Sequence, residues 1–185
     1  YFSWAPTENF ISLRTNSKWC RSLGRRIGWL EAPEFIIEAM ESVQSCTILS
    51  PDKLHQMAFG KFITTSIEDG SLDVYLEKIK KLYKNTAEKT AEIIQKHLDF
   101  SIIQPEGGLY VFMKVNTDGA KFVETILTKT GVLFIPGQGF GTTGKNAVRV
   151  SFGPLVEEID KIEEGIIKTA KYLNETKPFL KINQK

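Results

Sequence analysis

Cysteine and histidine are scarce in this chain. There are two of each, Cys20 and Cys46, His55 and His97, and none sits at a metal-ligand spacing. That scarcity excludes a disulfide-framed fold and gives no Cys/His set for a zinc site, so no metal is expected. No stretch approaches the roughly 18 consecutive apolar residues that a membrane-spanning helix needs. No signal-peptide pattern opens the chain. A reducing cytoplasm is therefore the default compartment, with no membrane partner. An excess of one charge is missing too: 24 Lys and Arg face 22 Asp and Glu, a net charge of +2. That balance argues neither for nor against a polyanion. Internal repeats and low-complexity stretches are absent.

What remains has the composition of a globular protein, 42% hydrophobic and 25% charged. A length of 185 residues suffices for one domain, or for one domain and a piece of another. Residues 9–15 and 26–31 read as buried strands. Pro33 opens a helix from Glu34 to about Val43, and Ser50-Pro51-Asp52 opens a second. Asp69-Gly70-Ser71 breaks that second helix. A helix without Gly or Pro follows from about Leu72 to His97. Phe100–Ile103, Leu109–Val115, Val132–Ile135 and Ala147–Phe152 read as strands. Helices are expected over Ala120–Thr130, ended by a Gly131 cap, and from Leu155 to about Asn174. The tail from Thr176 reads as frayed. The pattern predicts an α/β unit with one sheet covered on a single face. The domain boundary falls at 70/71, giving units 1–70 and 71–185.

The chemistry concentrates between the first two strands. Lys18, Arg21, Arg25 and Arg26 crowd one loop, and Lys18 stands eight positions before Arg26. Arginine offers a planar fork to phosphate oxygens. Lysine among other cations offers an amine that can attack a carbonyl. A ligand that is both an aldehyde and a phosphate would use both groups, and pyridoxal 5′-phosphate is such a molecule. By itself, a basic loop is also a solvated or anion-touching surface. A nucleic-acid contact has no accompanying aromatic or RNA-binding signature, so no nucleic-acid partner is expected.

Four blocks in order carry a resemblance. They are Asn16-Ser-Lys18 with Gly24-Arg-Arg26-Ile-Gly28, then Pro105-Glu-Gly-Gly-Leu-Tyr-Val-Phe112, then Gly131 to Gly141, then Ala147-Val-Arg-Val-Ser151. Together they resemble the class I/II aminotransferases, the fold-type-I pyridoxal-phosphate enzymes. Leu13–Lys18 is most similar to the histidinol-phosphate aminotransferase branch. The resemblance implies an α/β chain that is the C-terminal part of such an enzyme, with the end of the large cofactor domain followed by a small domain. It implies Lys18 as the catalytic Schiff-base lysine and Arg26 at the cofactor phosphate, with Thr15 and Ser17 hydroxyls beside it. Tyr1 would donate to the cofactor ring oxygen and assist catalysis. Strand alternation would set Arg25 and Arg26 on opposite sides. The implied reaction moves an amino group between an L-amino acid and a 2-oxo acid, in a homodimer. A lyase or decarboxylase on the same scaffold, or a non-catalytic fragment of the family, uses the same residues.

Gly139 to Lys145 spells G-x-x-x-x-G-K and contains G-x-G-x-x-G. Both motifs need a following helix to carry phosphate, and an alternating strand follows instead. Asn146 also stands where a P-loop needs Ser or Thr. By pattern alone, Arg149 inside that strand is a surface charge on an edge strand. The resemblance instead implies the arginine that binds the substrate carboxylate.

Overall fold

The computed structural model describes residues 10–180, in two compact units that divide between Ile79 and Lys80. Tyr1 lies outside the described residues. The first unit opens with an antiparallel ribbon of β1 (Ser12–Thr15) and β2 (Gly28–Glu31). Ser12 pairs with Glu31 and Thr15 with Gly28. Helices α1 (Glu34–Thr47) and α2 (Lys53–Glu68) follow. Pro33 stands at the cap of α1, where its missing N–H costs nothing. Asp52 caps α2, accepting from the Leu54 and His55 amides at 2.9 and 3.3 Å. Trp19, Trp29, Phe59, Phe62 and Tyr75 form a run of ring contacts.

Helix α3 (Ser71–His97) runs across the unit boundary. The second unit continues with β3 (Ile102–Ile103), β4 (Tyr110–Lys114), α4 (Gly119–Thr130), β5 (Ile135–Pro136), β6 (Ala147–Ser151) and α5 (Ile159–Leu180). Its antiparallel sheet has the order β3-β4-β6-β5. Val111, Met113, Val148 and Val150 point to one face, and they pack with Ile94 of α3, Ile126 of α4 and Ile166 of α5. Each such buried side chain contributes about 1.5–3 kcal/mol. Thr86 satisfies its buried hydroxyl on the Leu82 and Val156 carbonyls. Asp118 caps α4, and Gly131 ends it in the left-handed conformation at φ +74°.

Several expectations are corrected. The first two strands are shorter than 9–15 and 26–31, and they are not buried: Leu13 is 80% exposed. Among the described residues they pair only with each other, and Trp29 of the ribbon meets Phe59 of α2. Helix α1 runs four residues past Val43, to Thr47. Of Val132–Ile135 only Ile135 enters a ladder, because β6 offers partners only at Val148 and Arg149. Helix α5 starts at Ile159, after a turn at Gly153–Leu155, and continues through Thr176 to Leu180 rather than fraying.

The glycine-rich segment folds back on itself. A Cβ on Gly137 would stand 2.7 Å from the Ala147 carbonyl oxygen, and one on Gly144 would overlap the Gly137 carbonyl. Gly139 has open space around it and ordinary φ. Gly144→Ala should therefore cost more than about 2 kcal/mol in chemical denaturation, as overpacking against backbone does. Gly139→Ala should change the midpoint little. Equal effects would show that the close approach does not hold the turn.

Glu163 of α5 accepts from His97 at 2.9 Å and pairs with Lys96 at 3.1 Å, tying α5 to the end of α3. The His97 hydrogen bond, then Lys96, holds its carboxyl below the ordinary range. A lowered folded pKa stabilises above the unfolded value and is lost as pH falls through the folded one. Glu163→Gln should lower the thermal midpoint slightly at about pH 7, and the difference from the parent should vanish in strong acid. A difference that persists in acid would assign the effect to packing instead.

Candidate active site

The Lys18 loop is closed by one hydroxyl. Thr15 Oγ1 donates to the Ile27 carbonyl oxygen at 2.8 Å, across the mouth of residues 16–27. The Ser17 amide donates to Thr15 Oγ1 at 3.2 Å, and the Thr15 and Ser17 hydroxyls are 2.9 Å apart. Since the Thr15 proton goes to Ile27, the Ser17 hydroxyl is the donor of that pair. Ser17 can turn this proton to an incoming acceptor, whereas Thr15 cannot without opening the loop. Gly28 lets the strands approach: a Cβ there would lie 2.7 Å from the Arg14 carbonyl oxygen. Trp19 Nε1 donates to the Thr15 carbonyl at 3.1 Å, fixing the chain just after Lys18.

Thr15, Ser17 and Lys18 thus stand together, and Arg26 adjoins Ile27, to which Thr15 is bonded. Lys18 and Arg26 are both exposed. The expected strand alternation of Arg25 and Arg26 does not occur. Arg25 ends a 3-10 turn, and Arg26 takes the left-handed conformation at φ +57°, which an L side chain adopts at a cost. What separates the two arginines is this reversal of the backbone.

One buried residue in this loop carries no signal in the sequence. Asn16 is fully buried, and neither amide atom has a hydrogen-bond partner among the described residues. A cavity of about 450 Å³ opens beside the loop, lined by Cys20, Arg21, Arg25, His55, Phe59 and Tyr75, among others. Burial pushes the Cys20 thiol up, so Cys20 stays protonated and is a poor nucleophile.

Arg149 belongs to the second unit. Strand β6 lies inside the sheet, between β4 and β5, so the edge-strand expectation is overturned. Alternation sends Val148 and Val150 to the core and Arg149 to the open face. Phe112 stands opposite Arg149 on β4, and Ile135 on β5. Its guanidinium carbon lies 4.1 Å from the Tyr110 ring centre and 4.8 Å from that of Phe140. Its Nε is buried, with no partner among the described residues. Among the described residues no carboxylate pairs with it. A guanidinium so held can take an external anion. Sequence reading missed Tyr110 and Phe140, although alternation in β4 already puts Tyr110 and Phe112 opposite the buried Val111 and Met113.

Gly139–Lys145 leads into β6, not into a helix, and of its glycines Gly144 makes the close backbone approach described above. No phosphate-binding helix N-terminus stands there. Among the described residues there is no cluster of three or more His, Cys, Asp or Glu, and no helix is long and apolar enough to cross a membrane.

Residues 1–166 match the family described as aminotransferase class I and II. The chain belongs to that family. A similar relative is the aromatic-amino-acid aminotransferase 2 of Thermococcus litoralis, 27% identical over 92% of this chain and 42% of the relative. Another is an aspartate aminotransferase of Thermotoga maritima, 30% identical over 85% of this chain and 40% of the relative. The solved aromatic aminotransferase of Pyrococcus horikoshii OT3 superposes with a TM-score of 0.80 at 26% identity, over 92% of this chain and 44% of that one. The chain therefore spans about two-fifths of the aminotransferases it matches. Its architecture is α/β, a part of the fold-type-I aminotransferase fold.

Proposed function

We propose that the protein is a pyridoxal-phosphate-dependent aminotransferase, moving an amino group between an L-amino acid and a 2-oxo acid, with Lys18 as its Schiff-base lysine. One observation carries the reading. Within a family match over residues 1–166, an exposed lysine follows the Thr15–Ser17 hydroxyl pair and precedes Arg26 by eight positions. The donor set suits the cofactor: an amine for its aldehyde, and a hydroxyl and a guanidinium for its phosphate. When bound, pyridoxal 5′-phosphate supplies an aldehyde that captures amines and a ring that draws electrons from the substrate Cα–H bond.

The chain's own groups divide the remaining work. Lys18 anchors the cofactor and, once displaced by substrate, takes and returns the proton at Cα as general base and acid. Arg26 and Ser17 hold the phosphate. Thr15 keeps the loop closed through Ile27. Arg149 binds and orients the substrate carboxylate. Tyr1 donates to the cofactor ring oxygen. Residues 1–70 belong to the end of the large cofactor domain and 71–185 to the small domain. The assembly is a cytoplasmic homodimer without a nucleic-acid partner. The similarity to the histidinol-phosphate branch rests on Leu13–Lys18 alone, while similar relatives are named for aromatic amino acids and aspartate.

In the complete protein, Lys18→Ala should abolish the visible absorbance of lysine-bound cofactor, together with formation of 2-oxo acid from amino acid. Retention of both would remove Lys18 from the role. Release of carbon dioxide or an olefin, in place of amino-group transfer to an added 2-oxo acid, would assign the scaffold to a decarboxylase or lyase.

Arg26→Ala should weaken pyridoxal-phosphate binding by about 10- to 150-fold, the value of a lost charge-assisted contact. Arg25→Ala should do much less. Titration of cofactor-free protein, followed by tryptophan fluorescence, measures both. Equal losses would contradict the assignment to Arg26.

A further inference from the structure

We propose that Tyr110 and Phe140 are positioning residues for substrate: they clamp the Arg149 guanidinium between two rings and aim its terminal nitrogens at the carboxylate. The proposal rests on the reading of Arg149 as the carboxylate anchor. Both rings come within cation–π range, at 4.1 and 4.8 Å from the guanidinium carbon. Phe140 is itself braced edge-on by Phe112, with ring centres 5.4 Å apart. Tyr110 reaches Arg149 diagonally across the β4–β6 ladder, since its direct partner is Ser151 and that of Arg149 is Phe112.

Arginine has a long, flexible side chain that something must hold before a substrate arrives. Carboxylates are the usual holders, and among the described residues none reaches Arg149. A carboxylate partner would also compete with the substrate for the same donors. Aromatic rings hold the cation by its faces and leave its edge free. Bidentate recognition of a carboxylate needs that edge, in the guanidinium plane. With Nε buried, the terminal nitrogens are the donors left to offer. The arrangement orients the guanidinium without neutralising it.

Phe140 stands at the end of the Gly137–Phe140 turn, which the close approach of Gly137 and Gly144 holds. The glycine-rich loop therefore acts here through the ring it delivers. Lysine at 149 would not serve, because a point charge has no plane for the rings to fix.

The test uses the complete cofactor-loaded protein for kinetics and its cofactor-free form for NMR. Tyr110→Leu and Phe140→Leu remove the rings one at a time; Tyr110 is half-buried and Phe140 is 53% exposed, so neither sits in the core. Tyr110→Leu should raise the KM for L-phenylalanine or L-aspartate, whichever the enzyme turns over, by about 3- to 30-fold. The matching amine without a carboxylate should be affected little. Phe140→Leu should act in the same direction but less, its ring being farther away. Tyr110→Phe, which keeps the ring, should restore KM to within about threefold of the parent. The Arg149 Nε–H resonance, displaced by ring currents, should move toward the ordinary arginine position in Tyr110→Leu and stay in Tyr110→Phe. An unchanged resonance and unchanged KM in Tyr110→Leu would overturn the clamp. If the resonance moves but neither Tyr110→Leu nor Arg149→Gln alters the KM, the carboxylate reading of Arg149 is what fails, and the positioning role falls with it.

Discussion

The pairing of β4 with β6 is the constraint on which the second unit depends. Their ladder sets Val111, Met113, Val148 and Val150 into the core and leaves Tyr110, Phe112 and Arg149 on the other face. A slip of one residue would reverse every side chain of β6. It would expose two valines, at about 1.5–3 kcal/mol each, and would bury a guanidinium with no partner, at several kcal/mol more. The register that builds the core therefore also decides where Arg149 points. A lone charge inside an apolar strand looks like a flaw in the core pattern, yet the hydrogen bonds that specify the core also set the direction of that charge.

The glycine-rich segment shows how little a motif says without its neighbours. Gly139–Lys145 has the letters of two phosphate-binding loops, but the strand after it provides no helix N-terminus. Gly137 and Gly144 are small because two stretches of backbone nearly touch. That contact fixes the turn carrying Phe140, and Phe140 lies against Arg149. Packing of backbone on backbone is thus linked to the orientation of a charge, through one aromatic ring.

Much of this was legible in the residues. The caps at Pro33, Asp52 and Gly131, and the long α3 without Gly or Pro, announced their elements because capping and helix propensity are local properties. The single covered face of the sheet followed from the alternation of β4 and β6. The interior place of β6 was not legible, because strand order is a long-range property and a five-residue strand reads alike at an edge or in the middle. Burial of the first two strands was inferred from apolar content, but Leu13 and Trp29 are exposed, in a ribbon that pairs with no third strand among the described residues. Arg26 was placed in a strand because nothing in Gly-Arg-Arg-Ile announces a left-handed arginine. In the site, the residue types around Lys18 were readable. The ring clamp on Arg149 needed three dimensions, since Tyr110, Phe140 and Arg149 come from three separate segments.

The two units also differ in where they depart from local rules. In the second unit, positive φ occurs only at Gly108, Gly131 and Gly141 among the described residues, where it costs little. In the first, Arg21 and Arg26 both take it, within the loop that holds Lys18, and Leu49 takes it elsewhere. The same loop buries the Asn16 side-chain amide with no partner among the described residues, a cost of about 1–3 kcal/mol. Local burdens of this kind persist only where surrounding structure over-determines them, and they gather at functional positions. Here the surrounding structure includes the Thr15–Ile27 bond, the strand contact allowed by Gly28 and the Trp19 bond to the Thr15 carbonyl. All three hold the backbone on either side of Lys18 and Arg26 while leaving both cations exposed. A loop selected only for stability would place Gly or Asn at the reversal that Arg26 makes. Keeping arginine there accepts strain at the residue next to Ile27, whose carbonyl holds the Thr15 hydroxyl.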